Sequence, residues 1–83
     1  MKQLIHFTAD WCLPCKRMKP VIDKFIDENK DIEYIKIDVD SDYRTAQLYN
    51  IQSVPTLVSK IDGKVHDRVS GLVSEFVVKS LFG

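Results

Sequence analysis

The 83-residue sequence has only three glycines, at positions 63, 71 and 83, so it has no glycine-rich loop able to cradle a phosphate. It has no excess of either charge: twelve basic residues balance twelve acidic ones, with no long run of one sign. That removes the electrostatic footprint expected of a protein that binds nucleic acid or an anionic membrane. Long apolar runs are missing as well. The opening MKQLIHFTAD lacks the apolar stretch of a secretory signal, and nothing in the chain could span a bilayer. A cytoplasmic location is therefore expected, where thiols stay reduced and structural disulfides are rare. Cysteine is just as scarce. The two cysteines, Cys12 and Cys15, together with the distant His6 and His66, fall short of the paired motifs of a structural zinc site. Only a site shared between two copies could complete the set, and no metal or cofactor is expected.

What is present reads as one small domain over residues 1–83. The composition is 45% hydrophobic and 29% charged, globular rather than disordered. Leu4-Ile5-His6-Phe7 is a short β-type run ending at Thr8. From Cys12, the residues Met18, Val21, Ile22, Phe25 and Ile26 recur at helical spacing opposite a charged face, with Pro20 inside expected to kink the helix. Ile35, Ile37 and Val39 alternate as a second strand, and Asp40 or Ser41 is placed to cap a helix over about residues 42 to 50. Pro55 to Ile61 is a third strand, Asp62-Gly63 a tight turn, and residues 64 to 70 a fourth strand. Val73, Phe76, Val77 and Leu81 mark a last helix running to the C-terminus. The order is β-α-β-α-β-β-α, a mixed α/β arrangement. Strands one and two should be parallel across their helix, and strands three and four antiparallel across their turn.

One signature dissolves on inspection. DVDSDYRTAQLY, from Asp38, opens with the alternating acids of a calcium loop. Tyr43 and Tyr49 stand where such a loop needs glycine and glutamate, so this is a strand end and a helix cap.

The chemistry lies in ADWCLPCK, residues 9 to 16. A bridge closing so short a loop would stabilise the fold weakly, which argues against a structural staple. A redox couple fits better. Cys12 falls where a strand-loop turns into a helix, near unpaired backbone N–H groups and the positive end of the helix dipole, and both favour thiolate. Cys15 sits one turn later on the same side and is expected to be the more buried. On this geometry Cys12 attacks and Cys15 resolves.

WCLPCK resembles the active-site motif of the thioredoxin family. Pro20 sits where that family's helix carries a kinking proline, and Val54-Pro55-Thr56 resembles its cis-proline loop. Asp62-Gly63 matches the hairpin turn, and Gly71 matches the glycine ending the last strand. The resemblance covers essentially all 83 residues. It implies a minimal thioredoxin fold, a four-stranded mixed sheet of order 2-1-3-4 flanked by helices. The chain departs from the family in opening at the strand that leads into the motif, without an extra N-terminal strand and helix. Leu13 replaces the usual glycine between the cysteines. His6, six residues before Cys12, stands where the family carries a buried acid, and Lys36 matches the lysine beside that acid.

The resemblance implies a thiol–disulfide oxidoreductase that reduces protein disulfides and is recycled by a thioredoxin reductase or the glutathione system, working as a monomer. His6 has two readings: a base that takes the proton of Cys15, or a hydrogen-bonded core histidine. Burial and the charge of Lys36 would both push its pKa down. The Val54 backbone, beside a cis Pro55, would pair with an extended substrate segment. Trp11, Leu13, Pro14, Val54 and Leu72 would form an apolar rim, with Gly71 beside it. Two other functions compete: a glutaredoxin-like reductase fed by glutathione, and a redox-independent binding subunit that uses the same rim.

Overall fold

Alternation along the first strand, β1 (Lys2–Thr8), organises the molecule, since successive side chains point to opposite faces of the sheet. The structure is a computed structural model that describes residues 1–83. The remaining elements are α1 (Leu13–Glu28), β2 (Ile32–Asp38), α2 (Tyr43–Leu48), β3 (Thr56–Ile61), β4 (Lys64–Ser70) and α3 (Glu75–Ser80). They form one four-stranded sheet of order β2-β1-β3-β4. β1 runs parallel to β2 and antiparallel to β3, and β3 is antiparallel to β4. This is the order and topology expected.

β1 lies between two strands, and helices pack on both of its faces. Leu4 joins Met18, Ile22 and Phe25 of α1, Leu57 of β3, and Val78 and Leu81 at α3 in one core. Ile5 and Phe7 turn the other way and pack with Ala46 of α2 and Val58. Helices α1 and α3 thus cover one face and α2 the other. His6 and Thr8 share the α1 face with Leu4, which is how a histidine comes to be only 4% exposed in so small a protein.

Several boundaries differ from the periodicity reading, each for a local reason. α1 starts at Leu13 because Cys12 is its cap, and Pro20 is accommodated within its sixteen residues. Asp42, rather than Asp40 or Ser41, caps α2: its carboxylate accepts from the Thr45 N–H at 3.2 Å and the Thr45 hydroxyl at 2.8 Å. Asp38 occupies the earlier positions by accepting from the N–H groups of Asp40 and Ser41. α2 stops at Leu48, and Asn50 takes a left-handed φ of 57° just beyond it. β3 begins one residue after Pro55. α3 begins at Glu75, after Val73, and stops at Ser80; Val78 and the C-cap residue Leu81 face the core while Phe76 is 78% exposed. A six-residue helix makes under two turns, too few for spacing to establish its phase.

The short α2 is held at its C-terminal end from the far strand. Arg68 of β4 donates from Nη1 to the Tyr49 carbonyl at 2.6 Å and from Nη2 to that of Asn50 at 3.4 Å. A cation here satisfies carbonyls that the helix leaves open and complements its dipole. Arg68→Ala is expected to cost about 1 kcal/mol. In thermal unfolding, that is a drop in Tm of roughly 4–8 °C; an unchanged Tm would mean that the clamp contributes nothing.

Candidate active site

β1 delivers the chain to the site. After Thr8 the backbone turns, the Cys12 N–H donates to the Ala9 carbonyl at 3.1 Å, and Cys12 becomes the N-cap of α1. Its φ of −90° and ψ of 108° are extended, as a cap requires. Its Sγ accepts from the Cys15 N–H at 3.2 Å, so sulfur takes the place that a serine or aspartate oxygen fills in an ordinary cap. Pro14, in the first turn, lacks only an N–H that would have found no partner inside the helix. Cys12 and Cys15 are joined as a disulfide, with their Cα atoms 5.2 Å apart.

Both cysteines are 3% exposed, so the expectation that Cys15 is the more buried is not met in this oxidised form. They pack with Ala9, Val39 and Val54. Cys12 Sγ lies 3.7 Å from the Val54 carbonyl oxygen, which brings the loop before β3 against the attacking position. The Val54–Pro55 peptide is cis. That loop is tied on both sides: the Thr56 hydroxyl donates to the Ser53 carbonyl at 2.8 Å and meets the Ser70 hydroxyl at 2.9 Å. The Gly71 N–H donates to the Pro55 carbonyl at 2.8 Å, and Gly71 sits at a φ of 93°, where a side chain would be strained.

Around the disulfide, Trp11, Leu13 and Leu72 are all more than half exposed, and Pro14 is exposed with them. Leu72 is thus a surface residue and not core. Trp11 is held by a 2.9 Å bond from its indole Nε1 to Asp40. A shallow groove of about 160 Å³, lined by Trp11, Val39, Ile51 and Val54 among others, runs beside it. The link from Trp11 to Asp40 joins positions too far apart in the chain for periodicity to signal.

Behind the disulfide lies a second cavity, of about 240 Å³, which brings Cys15, His6 and Lys36 together. Lys36 is the register partner of His6 across the parallel β1–β2 pair, so their side chains leave the sheet on the same face. Tyr34, two residues earlier on β2, lines the cavity as well, and its hydroxyl lies 3.0 Å from His6 Nδ1. Burial first, and the Lys36 charge second, lower the His6 pKa from 6.5 to about 4. Burial, with the Asp23 carboxylate second, raises that of Tyr34 to about 12. Tyr34 was not singled out from the sequence. Strand alternation from Lys36 was the available signal, since it places Tyr34 and Lys36 on one face.

A vicinal dithiol that closes at a helix N-cap, beside a cis-proline loop, defines a thiol–disulfide oxidoreductase. A family model described as Thioredoxin matches residues 1–81. The thioredoxin of Chlamydia trachomatis is 42% identical over 69 residues, covering 83% of this chain and 68% of that protein. That of Mycoplasmoides gallisepticum is 34% identical over 80 residues, covering 96% of this chain and 80% of the relative. Among solved structures, oxidised mitochondrial thioredoxin 3 from Saccharomyces cerevisiae superposes with a TM-score of 0.91 at 32% identity, covering 98% of this chain and 76% of that one. The chain belongs to the thioredoxin family, and the readings as a glutaredoxin-like reductase or a redox-independent binding subunit are not favoured.

Proposed function

We propose that residues 1–83 act as one thioredoxin-like domain that reduces disulfides of protein substrates in the cytoplasm, as a monomer recycled by a thioredoxin reductase or the glutathione system. The observation that carries this reading is the Cys12–Cys15 pair at the α1 N-cap, with Cys12 Sγ against the Val54 carbonyl. In the reduced protein, Cys12 thiolate attacks a substrate disulfide, which releases one substrate sulfur as a thiol and leaves Cys12 bonded to the other. Cys15 then loses its proton and attacks Cys12 Sγ. The Cys12–Cys15 disulfide forms, and the second substrate sulfur departs and takes up a proton. Two electrons pass from the dithiol to the substrate. An extended substrate segment lies along Val54, Pro55 and Gly71, over a rim of Trp11, Leu13 and Pro14. His6 assists the second step by accepting the Cys15 proton, and burial first, with the Lys36 charge second, keeps His6 neutral and ready to do so. No helix is long and apolar enough to cross a membrane.

The experiment is equilibration of the Cys12–Cys15 couple in defined dithiol buffers. A midpoint near −270 mV, roughly the family value, is expected of a reductant. A midpoint near −120 mV, about that of a strong oxidant, would reverse the direction of electron flow and overturn the cytoplasmic assignment. Supplying electrons through glutathione or through a flavoprotein reductase then identifies the donor.

A further inference from the structure

The His6–Tyr34 pair is a feature that the reaction above leaves unexplained. His6 is buried on the central strand, one ring nitrogen is bonded to a tyrosine hydroxyl, and the other, Nε2, is buried with no protein partner. An unpartnered buried polar atom costs about 1–3 kcal/mol, a poor choice for a purely structural core residue. His6 lines the same cavity of about 240 Å³ as Cys15, and since Nε2 is closed to water in this oxidised form, the cavity wall must shift during resolution to admit a bridging water. At the other end of the pair, Tyr34 is 36% exposed, so it connects the buried ring to the surface.

We propose that His6 and Tyr34 form a proton relay between Cys15 and solvent, in which Tyr34 is a positioning residue acting through His6. The inference rests on the reading of His6 as the acceptor of the Cys15 proton. During resolution the Cys15 S–H proton passes, through water in the cavity, to His6 Nε2. The Nδ1 proton of His6 moves to Tyr34 Oη, and the Tyr34 hydroxyl proton leaves to bulk water. The Cys15 thiolate so formed closes the disulfide on Cys12. The oxidised protein is left with His6 protonated at Nε2 and with Tyr34 donating to Nδ1. When the disulfide is reduced again, Cys15 needs a proton, the relay runs backwards, and both groups return to their starting state.

A relay also resolves a mismatch of strengths. A histidine held near pKa 4 by burial and by Lys36 is a weak base for a thiol, and an imidazolium in that site is costly. Handing a proton on at Nδ1 while receiving one at Nε2 leaves no charge on the ring.

The relay makes the tautomer of His6 depend on the redox state, which nitrogen NMR of histidine-labelled protein reads directly. The expected result is a proton on Nδ1 in the reduced protein and on Nε2 in the oxidised one. Tyr34→Phe keeps the ring but removes the hydroxyl. It should abolish the switch and slow resolution of a Cys12 mixed disulfide by roughly five- to tenfold, the scale of one hydrogen bond. His6→Leu should slow it at least as much, and the double variant should be no slower than His6→Leu alone. The same tautomer in both redox states would overturn the relay, and this measurement needs no substitution. So would a Tyr34→Phe rate equal to the parent's, or losses that multiply in the double variant. If His6→Leu is slow and Tyr34→Phe is not, only the relay fails. If His6→Leu also resolves at the parent rate, the reading of His6 as the proton acceptor fails with it.

Discussion

Cys15→Ser is expected to turn this protein from a catalyst into a trap. The variant keeps Cys12 at the cap of α1, where the helix N-terminus and the N–H of residue 15 favour thiolate, so attack on a substrate disulfide proceeds. It has no second sulfur to close the ring, so the mixed disulfide accumulates. Turnover should fall by roughly a thousandfold or more, as when a reacting nucleophile is removed. Cys12→Ser should lose turnover equally but form no adduct, because it is the Cys12 position, and not Cys15, that lies against the Val54 carbonyl where a substrate segment docks. Mass spectrometry of non-reduced mixtures with a disulfide-bonded protein distinguishes the two. Adducts on Cys15 in Cys12→Ser, with none on Cys12 in Cys15→Ser, would reverse the roles.

The second large effect concerns acid. His6 has a pKa of about 4 in the folded protein against 6.5 when unperturbed. Between those values the unfolded chain holds a proton on this histidine that the folded chain does not, so stability falls as the pH falls through the window. Above pH 6.5 the contribution is fully present, and below about pH 4 it is lost. The shift corresponds to about 3 kcal/mol. His6→Leu carries no such liability. Urea unfolding at pH 7 and pH 4 should show the parent losing about 3 kcal/mol more than the variant over that interval. The carboxylates common to both proteins cancel in the comparison. If the two lose stability in parallel, His6 is either charged in the folded state or uncoupled from folding. Lys36 contributes the smaller part, so Lys36→Met should narrow the difference without removing it.

Much of this molecule was legible in its sequence because the signals were local or repeated. The β-type run at Leu4–Phe7, the alternation at Ile35, Ile37 and Val39, the helical spacing from Met18 to Ile26 and the Asp62-Gly63 turn each declare themselves within a few residues. The element order followed, and resemblance to thioredoxins supplied the sheet order. The catalytic dithiol and the cis-proline loop were recognisable for the same reason. Other features depended on contacts between distant segments. Tyr34 matters only because a parallel register places it beside His6, and Asp40 only because it meets Trp11. The phase of α3 was set by which face met α1 and β3, and Phe76 and Val77 lost the core position to Val78 for that reason. Asp42, and not Asp40 or Ser41, caps α2 because those two belong to the turn whose N–H groups bond to Asp38.

The hydrogen bonds that bind the Val54–Pro55 loop to Ser53, Ser70 and Gly71 bear on which disulfides this protein can attack. Holding a residue's backbone in one conformation costs about 1–2 kcal/mol, and here that cost is met when the chain folds. A docking substrate therefore meets an edge that is already rigid and must supply all the adaptation itself. Segments that are extended or easily opened dock at little cost, whereas a disulfide inside a well-packed domain is reached only as often as that domain frays. The rate at which a given target is reduced would then report the local opening free energy of the target more than any contact particular to it.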